Sequence, residues 1–250
     1  AHLLQASLDN LTQAVVSHPL MSKQALSELC INTKVASKQA QRRSIIDRFT
    51  HAAELFPERI ALVSNTSITP SLSYQELDLA SSRLAQQLVC IPGNQPVLLC
   101  SERSAAMIVG LLACLKAGKP YVPLDPDQPS KRLKYVAEHT QATAMLINNG
   151  QQSVNGFAGQ LIKINVEQLI HHDESPLISS DQLVHQTKLS DEGLAYIIYT
   201  SGSTGEAKAV TISHRNLEHY VDSICDALPL QSGMSYATVS TLSADLGNTA

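Results

Sequence analysis

The sequence is poor in the features that define several classes of protein. Its 250 residues include no tryptophan, three phenylalanines and only 16% charged residues, while 44% are hydrophobic. Low charge with ample aliphatic residues argues against intrinsic disorder. The net charge is −4 and no block of lysine and arginine is present, so we expect no nucleic-acid partner. No apolar run approaches the roughly 18 residues of a membrane span, and polar Asp9 and Asn10 argue against a signal peptide, so we expect no membrane partner.

The cysteines form no recognisable framework. They are five in number, and no pair has C-x-x-C spacing; they are Cys30, Cys90, Cys100, Cys114 and Cys225. A zinc site or a set of disulfides is therefore not expected. Since most of them lie within apolar runs, we interpret them as buried thiols in a reducing cytosol, and we predict a cytoplasmic protein.

The first part of the chain differs in pattern from the rest. Apolar residues recur at helical spacing within residues 1–30, whereas residues 31–44 are polar and without periodicity, as is typical of a linker. Residues 45–250 carry the pattern of a larger domain. The chain begins at Ala1 without methionine and stops at Ala250 within an apolar-polar pattern, so we expect it to be an excerpt of a longer polypeptide.

Short apolar strands alternate with amphipathic helices from residue 45 onward. The candidate strands are Ile60–Val63, Val97–Cys100, Tyr121–Leu124, Ala144–Ile147, Leu161–Ile164, Leu194–Tyr199 and Tyr236–Val239. Ser73 and Glu76 form a capping box at the start of a helix, and Ser104 and Ser213 can cap two others. This alternation predicts an α/β fold with a largely parallel sheet flanked by helices.

The most informative stretch follows the apolar run Leu194–Tyr199, which is typical of a strand buried on both faces. The next residues are small or carry hydroxyl groups, and a lysine comes shortly after; they are Thr200, Ser201, Gly202, Ser203, Thr204, Gly205 and Lys208. Such a turn can direct several N–H groups, hydroxyls and one positive charge at an anion. At the end of a strand, where α/β sheets bind ligands, it predicts a phosphate-binding loop.

This stretch has two alternative interpretations. Flexible loops rich in glycine and serine are common and need no ligand. A P-loop of the Walker type requires G-x-x-x-x-G-K-[ST], whereas Gly202 and Gly205 are three residues apart and Lys208 comes three residues later, before Ala209. The Walker interpretation is therefore excluded.

Tyr199–Lys208 resembles the signature phosphate loop of the adenylate-forming superfamily. Leu72–Leu77 is similar to its first core motif, and Leu115–Asp125, continuing to Pro129 and Arg132-Leu133, is similar to the second, in the form found in nonribosomal peptide synthetases. His214, Asn216 and Leu217 fit the helix after the loop, where we expect His214 to have a packing role. The resemblance covers about residues 45–250 and implies the N-terminal portion of an adenylation domain. The family usually has Pro and Gly where Ala207 and Ala209 stand, a change that we expect to leave the fold intact.

The resemblance implies a reaction and a set of roles. An amino acid would be activated with ATP and Mg²⁺ as its aminoacyl-AMP and then passed to the phosphopantetheine thiol of a carrier domain. Thr200, Ser201, Gly202, Ser203, Thr204, Gly205 and Lys208 would contact the ATP phosphates, with Lys208 and Thr200 as catalytic residues. Asp245 would pair with the substrate ammonium group, although a helix N-cap would also explain it, and Leu246 and Thr249 would line the pocket.

The opening residues, 1–30, are similar to the C-terminal tail of a condensation domain. The implied partners are therefore an upstream condensation domain, a downstream peptidyl carrier domain and the amino-acid substrate. His171-His172-Asp173-Glu174 superficially resembles the paired-histidine motif of condensation domains, but Pro176 stands where that motif has an acid. We interpret it as a solvated polar turn.

Two other functions stay open. The protein could be a ligase of the same superfamily that activates a fatty, aryl or keto acid, or a non-catalytic scaffold with a vestigial ATP loop. The family's adenine-binding segment, its hinge and its small C-terminal subdomain would lie beyond Ala250, so we expect the excerpt alone to be inactive.

Overall fold

The computed structural model describes residues 44–64, 71–148, 161–167, 170, 192–201 and 207–243. They belong to one of the two units into which the chain divides, Arg43–Ala250. The helices and linker predicted within residues 1–43 lie outside the described residues, and those domain boundaries stay predictions. In the described part of the chain, no helix has the length and hydropathy that crossing a membrane requires.

Helices and strands alternate along most of the described chain. In order they are α1 (Ile45–Leu55), β1 (Ile60–Val63), β2 (Ser71–Ser73), α2 (Tyr74–Val89), β3 (Val97–Cys100), α3 (Ala105–Lys116), β4 (Tyr121–Leu124), α4 (Ser130–Thr140), β5 (Ala144–Ile147), β6 (Ile162–Asn165), β7 (Leu194–Ser201), β8 (Ala207–Ser213) and α5 (His214–Ala227).

Side chains cap the first turns of α1, α2, α3 and α5, whereas α4 has no side-chain cap. The amide of Glu76 donates to the Ser73 hydroxyl at 3.2 Å, and the amide of Ser73 donates back to the Glu76 carboxylate at 2.8 Å. This reciprocal pair satisfies two amide groups that the first turn of α2 leaves without helical partners. Ser104 and Ser213 are the N-cap residues of α3 and α5, and their side chains also accept from a backbone amide three residues later. The three predicted caps are confirmed.

The strands form two sheets. β1 and β2 pair as a small antiparallel ribbon, and the larger sheet has the order β6-β5-β3-β4-β7-β8. Its first five strands are parallel, and β8 runs antiparallel to β7. The predicted α/β fold with a largely parallel sheet is confirmed.

The inner strands of the large sheet are buried on both faces, whereas β6 and β8 at its two ends are partly exposed. On one face, α2 and α3 pack over side chains such as Leu99 and Leu146, and on the other face Leu133 and Val136 of α4 pack over side chains such as Leu98. Residues at helical spacing after the Ser73 cap predict an apolar face for α2, and the structure buries this face in full; it consists of Leu77, Ala80, Leu84, Ala85 and Leu88. Burying each such leucine contributes about 1.5–3 kcal/mol, so this face fixes α2 on the sheet.

Some elements differ from the sequence prediction. The predicted strand Tyr236–Val239 is wrong: its residues are irregular, and the carbonyl of Val239 accepts a hydrogen bond from the Arg103 side chain in place of a neighbouring strand. The sequence analysis did not predict β2, β8 or α4. The predicted strand Leu161–Ile164 begins one residue later, as β6, a difference within the usual scatter of element ends.

Two burial predictions are also corrected. The apolar periodicity after Ser213 predicts that Tyr220 and Leu228 face inward, but they are 42% and 46% exposed. Helix α5 packs mainly against β7 and β8 at the end of the sheet, and its Asp222 pairs with Arg48 of α1 at 2.7 Å. Among the described cysteines, Cys100 and Cys114 are buried as predicted, but Cys90 and Cys225 are exposed. Burial, with Asp125 as a smaller cause, raises the pKa of Cys100 to about 12.

Candidate active site

One edge of the large sheet gathers the ends of several strands. Because β3, β4, β5 and β7 are parallel, their carboxyl ends lie along the same edge, which is where α/β sheets bind ligands. The residues that follow these strands are polar and partly joined to each other. The side-chain amide of Asn148, after β5, donates to the hydroxyl of Ser104, after β3, at 2.9 Å.

The predicted phosphate loop connects the two arms of a β-hairpin at this edge. β7 and β8 pair antiparallel, with Thr200 opposite Lys208 and Ser201 opposite Ala207. Directly opposed residues of an antiparallel pair project from the same face at about 4.5–5.5 Å between their Cβ atoms. Thr200 and Lys208 are both exposed, so the structure brings these two predicted site residues together. Gly202, Ser203, Thr204 and Gly205 lie outside the described residues.

The strand that leads into the hairpin has the predicted burial. Its side chains alternate between the two faces of the sheet and each is at most 8% exposed; they are Ala195, Tyr196, Ile197, Ile198 and Tyr199. β7 lies inside the sheet, between β4 and β8, and the ring of Tyr196 stacks on Tyr121 of β4 with centroids 5.3 Å apart. The hairpin is therefore built on a rigid inner strand.

Helix α4 contacts both arms of the hairpin. The guanidinium group of Arg132 donates to the carbonyl of Tyr199 at 3.1 Å, and the hydroxyl of Tyr135 donates to the carbonyl of Ala207 at 3.4 Å. Nδ1 of His139 lies 2.6 Å from the Tyr199 hydroxyl. Burial, and to a smaller degree the neighbouring Tyr135, raises the pKa of Tyr199.

Sequence reasoning missed these α4 contacts. A signal was present, because the polar and aromatic side chains at 132, 135 and 139 recur at the spacing of one helical face, beside the apolar positions Leu133 and Val136. The pattern alone did not indicate which strand that face would meet.

A second segment reaches the same edge from the residues after α5. The side-chain amide of Gln128, which follows β4, is 3.5 Å from the Ser243 hydroxyl, and Leu242 is 6% exposed within the core that α2 and α3 cover. Ser243 precedes the predicted substrate residues Asp245, Leu246 and Thr249, which lie outside the described residues.

The remaining sequence candidates have no role at this edge that the structure describes. His214 is buried at the first turn of α5, in line with the packing role expected for it, and its amide donates to the carbonyl of Gly193 at 2.9 Å. His171, His172, Asp173 and Glu174 lie outside the described residues. Within the described ranges, no cluster of three or more His, Cys, Asp or Glu side chains could hold a metal ion.

A largely parallel α/β sheet with polar residues at its carboxyl edge has the architecture in which α/β proteins bind ligands. The family model described as "AMP-binding enzyme" matches residues 49–249, and the chain belongs to this family.

The chain is also similar to individual proteins of known kind. It is 36% identical over 201 residues to polyketide synthase PksN of Bacillus subtilis (strain 168), a match that covers 79% of the chain and 4% of the relative. It is 36% identical over 200 residues to bacitracin synthase 2 of Bacillus licheniformis, covering 79% of the chain and 7% of the relative. The resemblance to synthetase adenylation domains that the sequence motifs indicated is confirmed.

Among solved structures, the fold is similar to the N-terminal subdomain of Klebsiella oxytoca NpsA in complex with 3-hydroxybenzoyl-AMSN. The TM-score is 0.61 with 27% sequence identity, and the match covers 82% of this chain and 49% of that one. The chain therefore spans about half of the NpsA chain and a small part of each of the two synthases.

Proposed function

We propose that the whole protein activates an amino acid as its adenylate within a nonribosomal peptide synthetase. The amino-acid carboxylate attacks the α-phosphorus of MgATP, the bond from that phosphorus to the bridging oxygen breaks, and pyrophosphate leaves. The aminoacyl-AMP then passes its acyl group to a phosphopantetheine thiol, and AMP leaves. The observation that carries this proposal is the opposed, exposed pair Thr200 and Lys208 at the carboxyl edge of the sheet.

The hairpin supplies the groups that this reaction needs. Negative charge shifts onto the leaving pyrophosphate as the bond breaks, so donors aimed in advance at its oxygens lower the barrier. In this proposal the Lys208 ammonium and the Thr200 hydroxyl bind the β- and γ-phosphates. Ser201, at the end of β7, and the connecting residues Gly202, Ser203, Thr204 and Gly205 donate from their hydroxyls and backbone amides.

The amino-acid site is assigned to the segment that begins beside Ser243. Asp245 pairs with the α-ammonium group of the substrate, a charge-assisted bond, and Leu246 and Thr249 line the side-chain pocket. The anchoring of Leu242 in the core and the contact between Gln128 and Ser243 support this assignment. Both contacts lead the chain to the edge that carries the hairpin.

The proposed partners are an upstream condensation domain and a downstream carrier domain that bears the phosphopantetheine arm. The similarity to bacitracin synthase 2, of which the chain matches 7%, supports a multidomain setting. Neighbouring domains of this kind would deliver the growing peptide and collect the activated amino acid.

ATP–pyrophosphate exchange with the whole protein tests the role of the hairpin. Lys208→Ala should slow exchange by about 100-fold, the typical cost of removing one donor that stabilises developing charge. Lys134→Ala is the matched control, because Lys134 is an exposed lysine on α4 with only a 3.8 Å ion pair to Glu138; it should exchange as the wild type does. Equal rates in the wild type and Lys208→Ala would contradict the assignment.

The same assay separates the competing functions. Exchange that depends on amino acids and not on their deaminated analogues supports the proposal. Exchange with aryl or keto acids alone would indicate a different acid-activating ligase; the NpsA structure, with its 3-hydroxybenzoyl-AMSN ligand, makes 3-hydroxybenzoate a useful member of the panel. Absence of both exchange and calorimetric ATP binding would indicate a scaffold.

A further inference from the structure

We propose that Arg132 and Tyr135 are positioning residues, which orient the two peptide groups from which Thr200 and Lys208 emerge. This inference rests on the proposed function of the hairpin, and it assigns to α4 a role in holding the ATP-binding pair. Neither side chain is required to touch ATP in this arrangement.

The two hydrogen bonds fall at corresponding places on the two arms of the hairpin. The carbonyl of Tyr199, which Arg132 binds at 3.1 Å, belongs to the same planar peptide group as the amide of Thr200. The carbonyl of Ala207, which Tyr135 binds at 3.4 Å, belongs to the same peptide group as the amide of Lys208. A single helix thus fixes the peptide plane immediately before each member of the pair.

Helix α4 is itself packed against the sheet, so it can hold the hairpin in a fixed position. Leu133 and Val136 are each 1% exposed and pack against the sheet. Between them on the helix, the ring of Tyr135 stacks on His139 with centroids 5.6 Å apart and meets Tyr199 edge-on at 6.4 Å. These contacts restrict the rotamer of Tyr135, so its hydroxyl is held toward the hairpin before any ligand binds.

The pair benefits from such an anchor because both side chains are exposed. Thr200 and Lys208 are both exposed, so packing does not determine where the hydroxyl and the ammonium group point. Donors that stabilise developing charge must be placed to within a fraction of an ångström, and a displacement of about 1 Å can cost 100-fold in rate. Bonds to the preceding carbonyls supply that placement through the backbone.

Kinetics of variants in the whole protein provide the first test. Arg132→Gln should lower kcat/KM for MgATP in pyrophosphate exchange by about tenfold, the scale of a lost hydrogen bond to a charged donor, while the KM for the amino acid changes less than about twofold. Tyr135→Phe keeps the ring and removes the hydrogen bond to the Ala207 carbonyl, which is the longer of the two. It should lower kcat/KM for MgATP by about threefold. Arg132→Lys retains a charged donor and should recover part of the loss. Lys134→Gln, on the exposed side of the same helix, should match the wild type.

Hydrogen exchange provides a readout that is independent of activity. In Arg132→Gln and Tyr135→Phe, the amides of peptides that carry Thr200 and Lys208 should exchange faster, with protection of α2 and α3 unchanged. If Arg132→Gln fails to fold, Tyr135→Phe decides the question by the same measurement. Unchanged hydrogen exchange at Thr200 and Lys208 would overturn the inference.

The outcomes separate this inference from the function on which it rests. If the wild type exchanges pyrophosphate and both α4 variants behave as Lys134→Gln does, the positioning role is overturned and the proposed function stands. A lowered melting temperature with unchanged hydrogen exchange at Thr200 and Lys208 would indicate a purely structural role and would also overturn it. Absence of pyrophosphate exchange in the wild type would overturn the proposed function. Hydrogen exchange would still decide whether α4 holds the hairpin.

Discussion

Lys116, at the end of α3, buries its ammonium group between α2 and α3 with 1% of its side chain exposed. Its Nζ lies 2.6 Å from a carboxylate oxygen of Asp78 and 2.8 and 2.9 Å from the hydroxyls of Ser81 and Ser82. Burial lowers the pKa of Lys116, and the Asp78 carboxylate opposes that shift. The buried ammonium group of Lys116 therefore joins the two helices, and its stability in the charged form depends on all of these partners.

The two members of this ion pair should respond differently to substitution. Asp78→Asn leaves a fully buried ammonium group without its counter-charge and should lower the free energy of unfolding by about 3 kcal/mol. Lys116→Met keeps the volume and leaves a carboxylate whose side chain is 19% exposed and can still be hydrated, so it should cost less, about 1–2 kcal/mol.

Urea unfolding of the two variants measures this difference. The control is Lys134→Met, which removes an exposed ion pair and should change stability by less than about 0.5 kcal/mol. A larger loss for Lys116→Met than for Asp78→Asn would show that the desolvated ammonium group does not dominate the energetics of the pair.

At the scale of the element, Gly110 determines how closely α3 approaches the sheet. A Cβ atom at this position would lie 2.8 Å from a methyl carbon of Leu99 and 3.2 Å from one of Leu146. Both leucines are buried in strands β3 and β5, so they have little room to move away. The absence of a side chain at Gly110 thus permits close packing of helix on strand.

Gly110→Val should therefore lower the free energy of unfolding by about 2 kcal/mol, because the added isopropyl group overpacks this contact. Gly110→Ala should cost less, since about 0.5–1 kcal/mol of gained helix propensity offsets part of the strain. Gln87→Val, at an exposed position of α2, controls for β-branching within a helix. Urea unfolding that gave equal losses for Gly110→Val and Gln87→Val would argue against overpacking.

Elements with strong local signals were predictable, and those that depend on neighbours were not. Ser73, Ser104 and Ser213 cap their helices through contacts three residues away, so the sequence suffices to locate them. By contrast, β8 exists because it pairs with β7, and Tyr236–Val239 has strand-like residues without a pairing strand. Strand formation requires a partner, and a local pattern does not supply one.

At the scale of the whole molecule, binding of MgATP should stabilise the folded protein. A ligand present at about 100 times its Kd adds about 2.7 kcal/mol to the free energy of unfolding. We expect MgATP to raise the melting temperature of the whole protein and Lys208→Ala to reduce that rise at the same concentration, because a phosphate contact is lost. Lys134→Ala should retain the rise. An equal rise in Lys208→Ala would place the phosphates away from the hairpin.

The amino-acid sequence by itself determined the α/β class, the starts of α2, α3 and α5, the burial of β7 and the chemical character of the loop that follows it. Each of these depends on residue types within a few positions of one another. The tertiary structure decided which groups meet: Thr200 opposite Lys208, Arg132 on a carbonyl 67 residues away, and Lys116 beside Asp78 38 residues away. Such contacts arise from strand pairing and helix packing between distant segments, and the spacing of residues along the chain does not encode them locally.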